Sequence, residues 1–122
     1  MRYVRVENVD RGRELGTRIG MADRWWLRLR GLLGRPRIRD GEGMLLLGSP
    51  AIHTVGMRYP LDIAVLDRTG RIIAVYAALP PGRRTRLHAA AAHTLELPAG
   101  ALDRTGTREH DRLVWHPVAD DA

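Results

Sequence analysis

Apolar and polar residues alternate over residues 2–6, turn formers collect over 8–12, and alternation resumes over 15–21. A period of two sends successive side chains to opposite faces, so these segments are expected to be two short strands of a first hairpin. The period changes after Asp23. Trp25, Trp26, Leu29, Leu32 and Leu33 fill one arc of a helical wheel with Arg24, Arg28 and Gly31 opposite, which predicts one amphipathic helix over 24–33. Asp23 suits its N-cap, Gly34 its stop, and Pro36 bars continuation. Arg30 borders the apolar arc, where its stem can be buried while its head reaches a carboxylate elsewhere.

Beyond a polar loop at 36–42, residues 44–47 read as a short apolar strand broken by Gly48-Ser49-Pro50. Residues 61–67 and 71–79 flank Arg68-Thr69-Gly70, the pattern of a β-hairpin with a glycine in its loop. Pro80-Pro81-Gly82 ends that arm, 83–90 is expected to be a loop or edge segment, and 92–97 alternates as a further strand. Pro98-Ala99-Gly100 leads into a helical turn near 101–104; a last strand with Trp115 is expected over 111–118, and an acidic end expected to fray follows. The expected fold class is mostly β: a compact antiparallel β-sandwich or open barrel of about seven short strands, with the amphipathic helix covering one opening.

Composition narrows this picture. The 122 residues are 44% hydrophobic and 28% charged, which suits one domain spanning 1–122. No apolar run approaches the roughly 18 residues of a membrane span and residues 1–11 lack an apolar signal core, so a cytoplasmic location is the expectation. With no cysteine, disulfides, thiolate zinc sites and a Cys nucleophile are excluded. All 20 basic residues are arginines, for a net charge of +6. Residues 1–40 hold 11 arginines against 5 acids, whereas 41–122 hold 9 of each. Such an arm could meet phosphates. However, Lys, Phe and Gln are absent and Asn8 is the one asparagine, which reads as a codon bias toward arginine.

Ser49 lacks the glycine-framed turn of a nucleophile elbow, and no phosphate-binding loop or dinucleotide fingerprint is present. His53, His88, His93, His110 and His116 form no metal signature beyond the loose spacing of His88, His93 and Glu96, so neither a metal nor another cofactor is expected. Asp62 shares its strand face with Ala64 and Leu66, and a carboxylate on an apolar face needs a partner. Arg30, Arg58 or backbone N–H groups are the candidates. Glu96 alternates with Leu95 and Leu97 in the same way, sharing its face with Thr94.

Four segments, taken in order, resemble the domain of unknown function 192 (DUF192, UPF0127) family over residues 14–116. They are Arg30-Gly31-Leu32-Leu33-Gly34-Arg35, Gly43-Met44-Leu45-Leu46, the stretch Ile52-His53-Thr54-Val55-Gly56-Met57-Arg58-Tyr59-Pro60-Leu61-Asp62, and Leu95-Glu96-Leu97-Pro98-Ala99-Gly100. Leu33 stands where the family pattern has Met, and 52–57 replaces a segment that many members fill with Phe-Trp-Met-Lys-Asn-Thr. That departure changes the rim of any shared cleft. The resemblance implies a small all-β fold and no defined activity, and it singles out Arg30, Met57, Pro60, Asp62 and Glu96. Many members look exported, whereas a chain without a signal or lipid anchor is the expectation here.

The leading expectation is a binding or accessory module in which Arg30, His53, Met57, Arg58, Asp62 and Glu96 wall a polar cleft for a small polar ligand or peptide segment. A hydrolase or lyase using Asp62 and Glu96 as an acid/base pair is the first alternative. Nucleic-acid binding through Arg2, Arg5, Arg11, Arg13, Arg18, Arg24 and Arg28 is the second and is not favoured, because Trp25 and Trp26 lie on the apolar arc.

Overall fold

A computed structural model of the chain describes residues 2–22 and 37–118. Within them run β1 (Arg2–Asn8), β2 (Arg13–Ala22), β3 (Glu42–Leu46), β4 (Leu61–Leu66), β5 (Ile72–Leu79), β6 (His93–Pro98), α1 (Ala101–Arg104) and β7 (Leu113–Pro117). The helix expected over 24–33, with Asp23, Arg30, Gly34 and Pro36, lies outside the described residues, as does the acidic end. Among the described residues, no helix is long and apolar enough to cross a membrane.

The strands form one mixed sheet in the order β5-β4-β6-β3-β2-β1-β7, curled into a half-barrel. This is the open-barrel form of the expected fold. Every neighbouring pair is antiparallel except β2 and β3, which run parallel with Arg18 opposite Glu42. β2 is also longer than expected, at 10 residues. It begins at Arg13 because the preceding turn is tight: Gly12 takes φ 63°, and the buried Asn8 Oδ1 accepts the N–H groups of Asp10 and Arg11. The Asn8 amide donates to Thr107 Oγ1 and Asp111 Oδ2, fixing this turn to the segment before β7. Arg11 forks onto both oxygens of Asp111 at 3.0 and 3.1 Å, and its guanidinium holds that carboxyl down at about 2.

Both faces of the sheet are packed. Leu15, Ile19, Leu45, Leu66, Leu95 and Leu97 form one cluster with Ile72 and Leu113 from the two edge strands. Only a concave face can bring both edges into one cluster, so this is the barrel interior, and Ala101 and Leu102 of α1 plug it. The convex face carries Met44, Leu46, Leu61, Ile63 and Val65, covered in part by Ile52, Met57 and Tyr59 from the loop between β3 and β4. All six residues of β4 are consequently buried.

The covering loops are stapled by two buried threonines. Thr54 Oγ1 donates to the Pro80 carbonyl and accepts the Arg83 N–H, and Thr85 Oγ1 accepts the Ile52 N–H. His53 and Arg84 face each other in an isolated antiparallel bridge within this staple. At the opposite end of β5 the two sheet edges meet: Leu113 donates to Gly70, Ile72 to Asp111 and His110 to Ile72.

Gly43 lets β3 approach β6, because a Cβ there would run into the Glu96 carbonyl oxygen and crowd Leu97. Backbone cannot swing away as a flexible side chain would. Gly43→Ala is therefore expected to lower stability by about 2 kcal/mol or more, read as a reduced urea midpoint.

Candidate functional site

β4 and β6 are adjacent and antiparallel, with Asp62 opposite Leu97 and Ile63 opposite Glu96. Directly paired residues share a face and successive residues alternate, so Asp62 points into the barrel with Leu97 while Glu96 points to the convex side with Ile63. The two carboxylates expected from sequence to wall one cleft are thus separated by the sheet. They cannot act on one bond.

Asp62 is 1% exposed and fully engaged. Its Oδ1 accepts the Ala78 N–H at 2.8 Å, and its Oδ2 accepts the N–H groups of Gly100 at 3.1 Å and Leu102 at 2.9 Å. Of the partners considered from sequence, backbone N–H groups are the ones found; Arg58 is exposed and Arg30 lies outside the described residues. Ala78 and Gly100 both have positive φ, 49° and 97°, and the carboxylate holds the end of β5 and the start of α1 in these turns. Asp62 is a structural tie.

Glu96 is 5% exposed and has no comparable support. Met44 of β3 and Ile63 of β4 flank it laterally. No hydrogen bond from a described residue reaches its carboxyl, and burial pushes that group from 4.5 up to about 7. Tyr76 of β5 continues the row beyond Ile63. Its hydroxyl lies 2.8 Å from His88 Nε2 and accepts the Arg86 N–H at 3.0 Å.

Of the remaining candidates, Met57 packs on the same convex cluster as Met44 and Ile63, and His53 and Arg58 stand exposed on the loop that carries it. The structure therefore brings Met57 and Glu96 to one side and leaves Asp62 on the other. His93 faces the interior, where its Nδ1 accepts the Gly48 N–H and its ring meets Trp115 edge-on. It points away from Glu96, and among the described residues no group of three metal-ligating side chains converges. The arginine arm is partly committed to the fold, with Arg11 on Asp111 and Arg18 stacked 3.9 Å over the Tyr3 ring. Sequence reasoning missed the Tyr76–His88 pair. The period placed Tyr76 on a strand, but nothing in the pattern returns a loop histidine to it.

The DUF192 family model, described as an uncharacterized ACR, matches residues 6–115. A crystal structure of a protein of unknown function from Novosphingobium aromaticivorans DSM 12444 is 27% identical, with a TM-score of 0.76 over 93% of this chain and 84% of that one. A second, from Sinorhizobium meliloti 1021 and described as a proposed transcription regulator, is 25% identical with a TM-score of 0.73 over 94% and 96% of the two chains. No curated protein matches the chain.

Two substitutions separate the carboxylates. Asp62→Ala orphans three N–H groups, that of Leu102 buried and those of Ala78 and Gly100 partly so, and should cost about 3 kcal/mol, whereas Asp62→Asn keeps one acceptor oxygen and should cost less; chemical denaturation reads both. For Glu96 the folded chain holds its proton to higher pH than the unfolded chain. The contribution of this group to stability is therefore full below 4.5, falls as pH rises toward about 7, and is level above. Glu96→Gln cannot ionise. It should flatten that slope and exceed the parent at pH 8 by on the order of 2 kcal/mol in melting experiments.

Proposed function

This chain belongs to the DUF192 family, and we propose that it acts as a binding or accessory module that holds a small polar ligand or peptide group against the Glu96 face of the sheet. The observation that carries this reading is Glu96 itself, a buried carboxyl that no described residue satisfies, on a face that it shares with Met44, Ile63 and Met57. A desolvated carboxyl is costly without a donor, and a bound N–H donor would supply one. An alkylammonium or guanidinium group on a short aliphatic stem matches both the charge and the apolar flanks. His53 and Arg58 stand exposed on the loop that carries Met57.

The acid/base alternative loses its second carboxylate to the opposite face, where three N–H groups already occupy Asp62. Nucleic-acid binding through the first arginines is weakened by the engagement of Arg11 and Arg18 within the fold.

A nitrogen-15 NMR titration with n-butylammonium tests the reading. Saturable amide shifts are expected at 44, 63 and 96 in the parent protein, with loss of saturation in folded Glu96→Gln. Equal, non-saturating shifts in both proteins would remove the Glu96 face as a ligand site.

A further inference from the structure

We propose that the outer edge of β5 is a docking site for an acidic, extended segment of a partner protein, which joins the sheet as an added strand. β5 ends the strand order, and its eight residues, Ile-Ile-Ala-Val-Tyr-Ala-Ala-Leu, contain no charge and no proline. Natural sheets guard such edges with charges, proline or shortness, because an open row of N–H and C=O groups templates further pairing. The other edge is guarded in that sense: β7 has five residues, exposes His116 and ends in Pro117. β5 is not.

Its outer side is occupied at its start, where Ile72 exchanges hydrogen bonds with Asp111 and His110. Among the described residues, no other backbone hydrogen bond reaches 73–77 from outside β4. Ala77 and Ala78 are exposed, and Val75 and Tyr76 half-buried, so solvent and a partner can reach this stretch.

The flanking charge selects the occupant. Residues 80–95 contain Arg83, Arg84 and Arg86 and no acid. The Arg86 N–H and His88 Nε2 both meet the Tyr76 hydroxyl, which lays this loop along β5. The equal count of arginines and acids over 41–122 thus conceals a locally cationic border. Arg68 and Arg71 lie at the other end of the strand, where Asp67 is committed to its own turn by Thr69 and Arg71 N–H groups. A second copy of this chain pairing antiparallel through β5 would bring Arg83, Arg84 and Arg86 of one copy toward Arg68 and Arg71 of the other. Like charges disfavour that arrangement. An acidic strand gains the main-chain hydrogen bonds of the edge and the complementary charge together.

The test uses the full chain and a short fluorescein-labelled peptide alternating Glu and Val, with a Lys/Val peptide and a backbone N-methylated Glu/Val peptide as comparisons. Fluorescence anisotropy should show saturable binding of the first, with at least tenfold weaker binding of the other two. The double variant Arg84→Glu, Arg86→Glu changes exposed side chains and should weaken the acidic peptide at least tenfold while remaining folded by circular dichroism. Amide hydrogen exchange should show new protection within 73–79 when the acidic peptide is bound. Equal binding of acidic and basic peptides, protection confined to 44, 63 and 96, or β5 protection arising from self-association without peptide would each overturn the proposal. Because the peptide comparison is made on the parent protein, it decides the matter even if the double variant fails to fold.

Discussion

Three backbone N–H groups from two distant stretches of chain end on one carboxylate. Asp62 faces the barrel interior from the start of β4, and from there it fixes Ala78 near the end of β5, Gly100 before α1 and Leu102 within it. A single turn of four residues has no stability of its own, since helix nucleation fixes several dihedrals for one hydrogen bond. The Asp62 carboxylate supplies what α1 lacks, accepting N–H groups at its start while Leu102 enters the core. The conformation of the β5 end and the plug of the barrel therefore depend on the same side chain.

Glu96 lies one strand away in the opposite condition. The difference is one of parity: in neighbouring antiparallel strands, whichever residue opposes Ile63 must share its face, and that residue is Glu96. Asp62 is surrounded by free N–H groups that it can bind. Among the described residues Glu96 is flanked across the sheet by Met44 and Ile63, which offer nothing to a carboxylate. The chain spends stability on this second acid, and the cost grows as pH rises toward neutrality.

Much of the architecture was legible because a period of two survives in the sequence. The hairpin around Arg68-Thr69-Gly70, the first hairpin, the strand before Pro98 and the turn at 101–104 lie close to where alternation and turn residues put them. The need of Asp62 for a partner was also legible from its apolar neighbours. The donors were not, because the N–H groups of Ala78, Gly100 and Leu102 come near it only when β5 and α1 are in place. Nor could the sequence reveal that Asp62 and Glu96 part company, since face sharing depends on register between strands that a single chain pattern leaves open. The parallel pairing of β2 with β3 escaped for the same reason. Two of the motifs behind the family resemblance acquire a physical meaning: Leu61-Asp62 meets Pro98-Ala99-Gly100 through hydrogen bonds, and Gly43 yields space to the Glu96 backbone.

The pairing of β1 with β7 has a consequence for synthesis. β1 and β2 emerge from the ribosome early and can close as a hairpin, yet the free side of β1 is matched by a strand translated roughly a hundred residues later. Until then that hairpin exposes an unpaired flank carrying Val4 and Val6, residues destined for the barrel interior. Nascent chains in this condition are prone to pair with one another, so the hazard of misassembly is greatest in the interval between translation of the first and last strands.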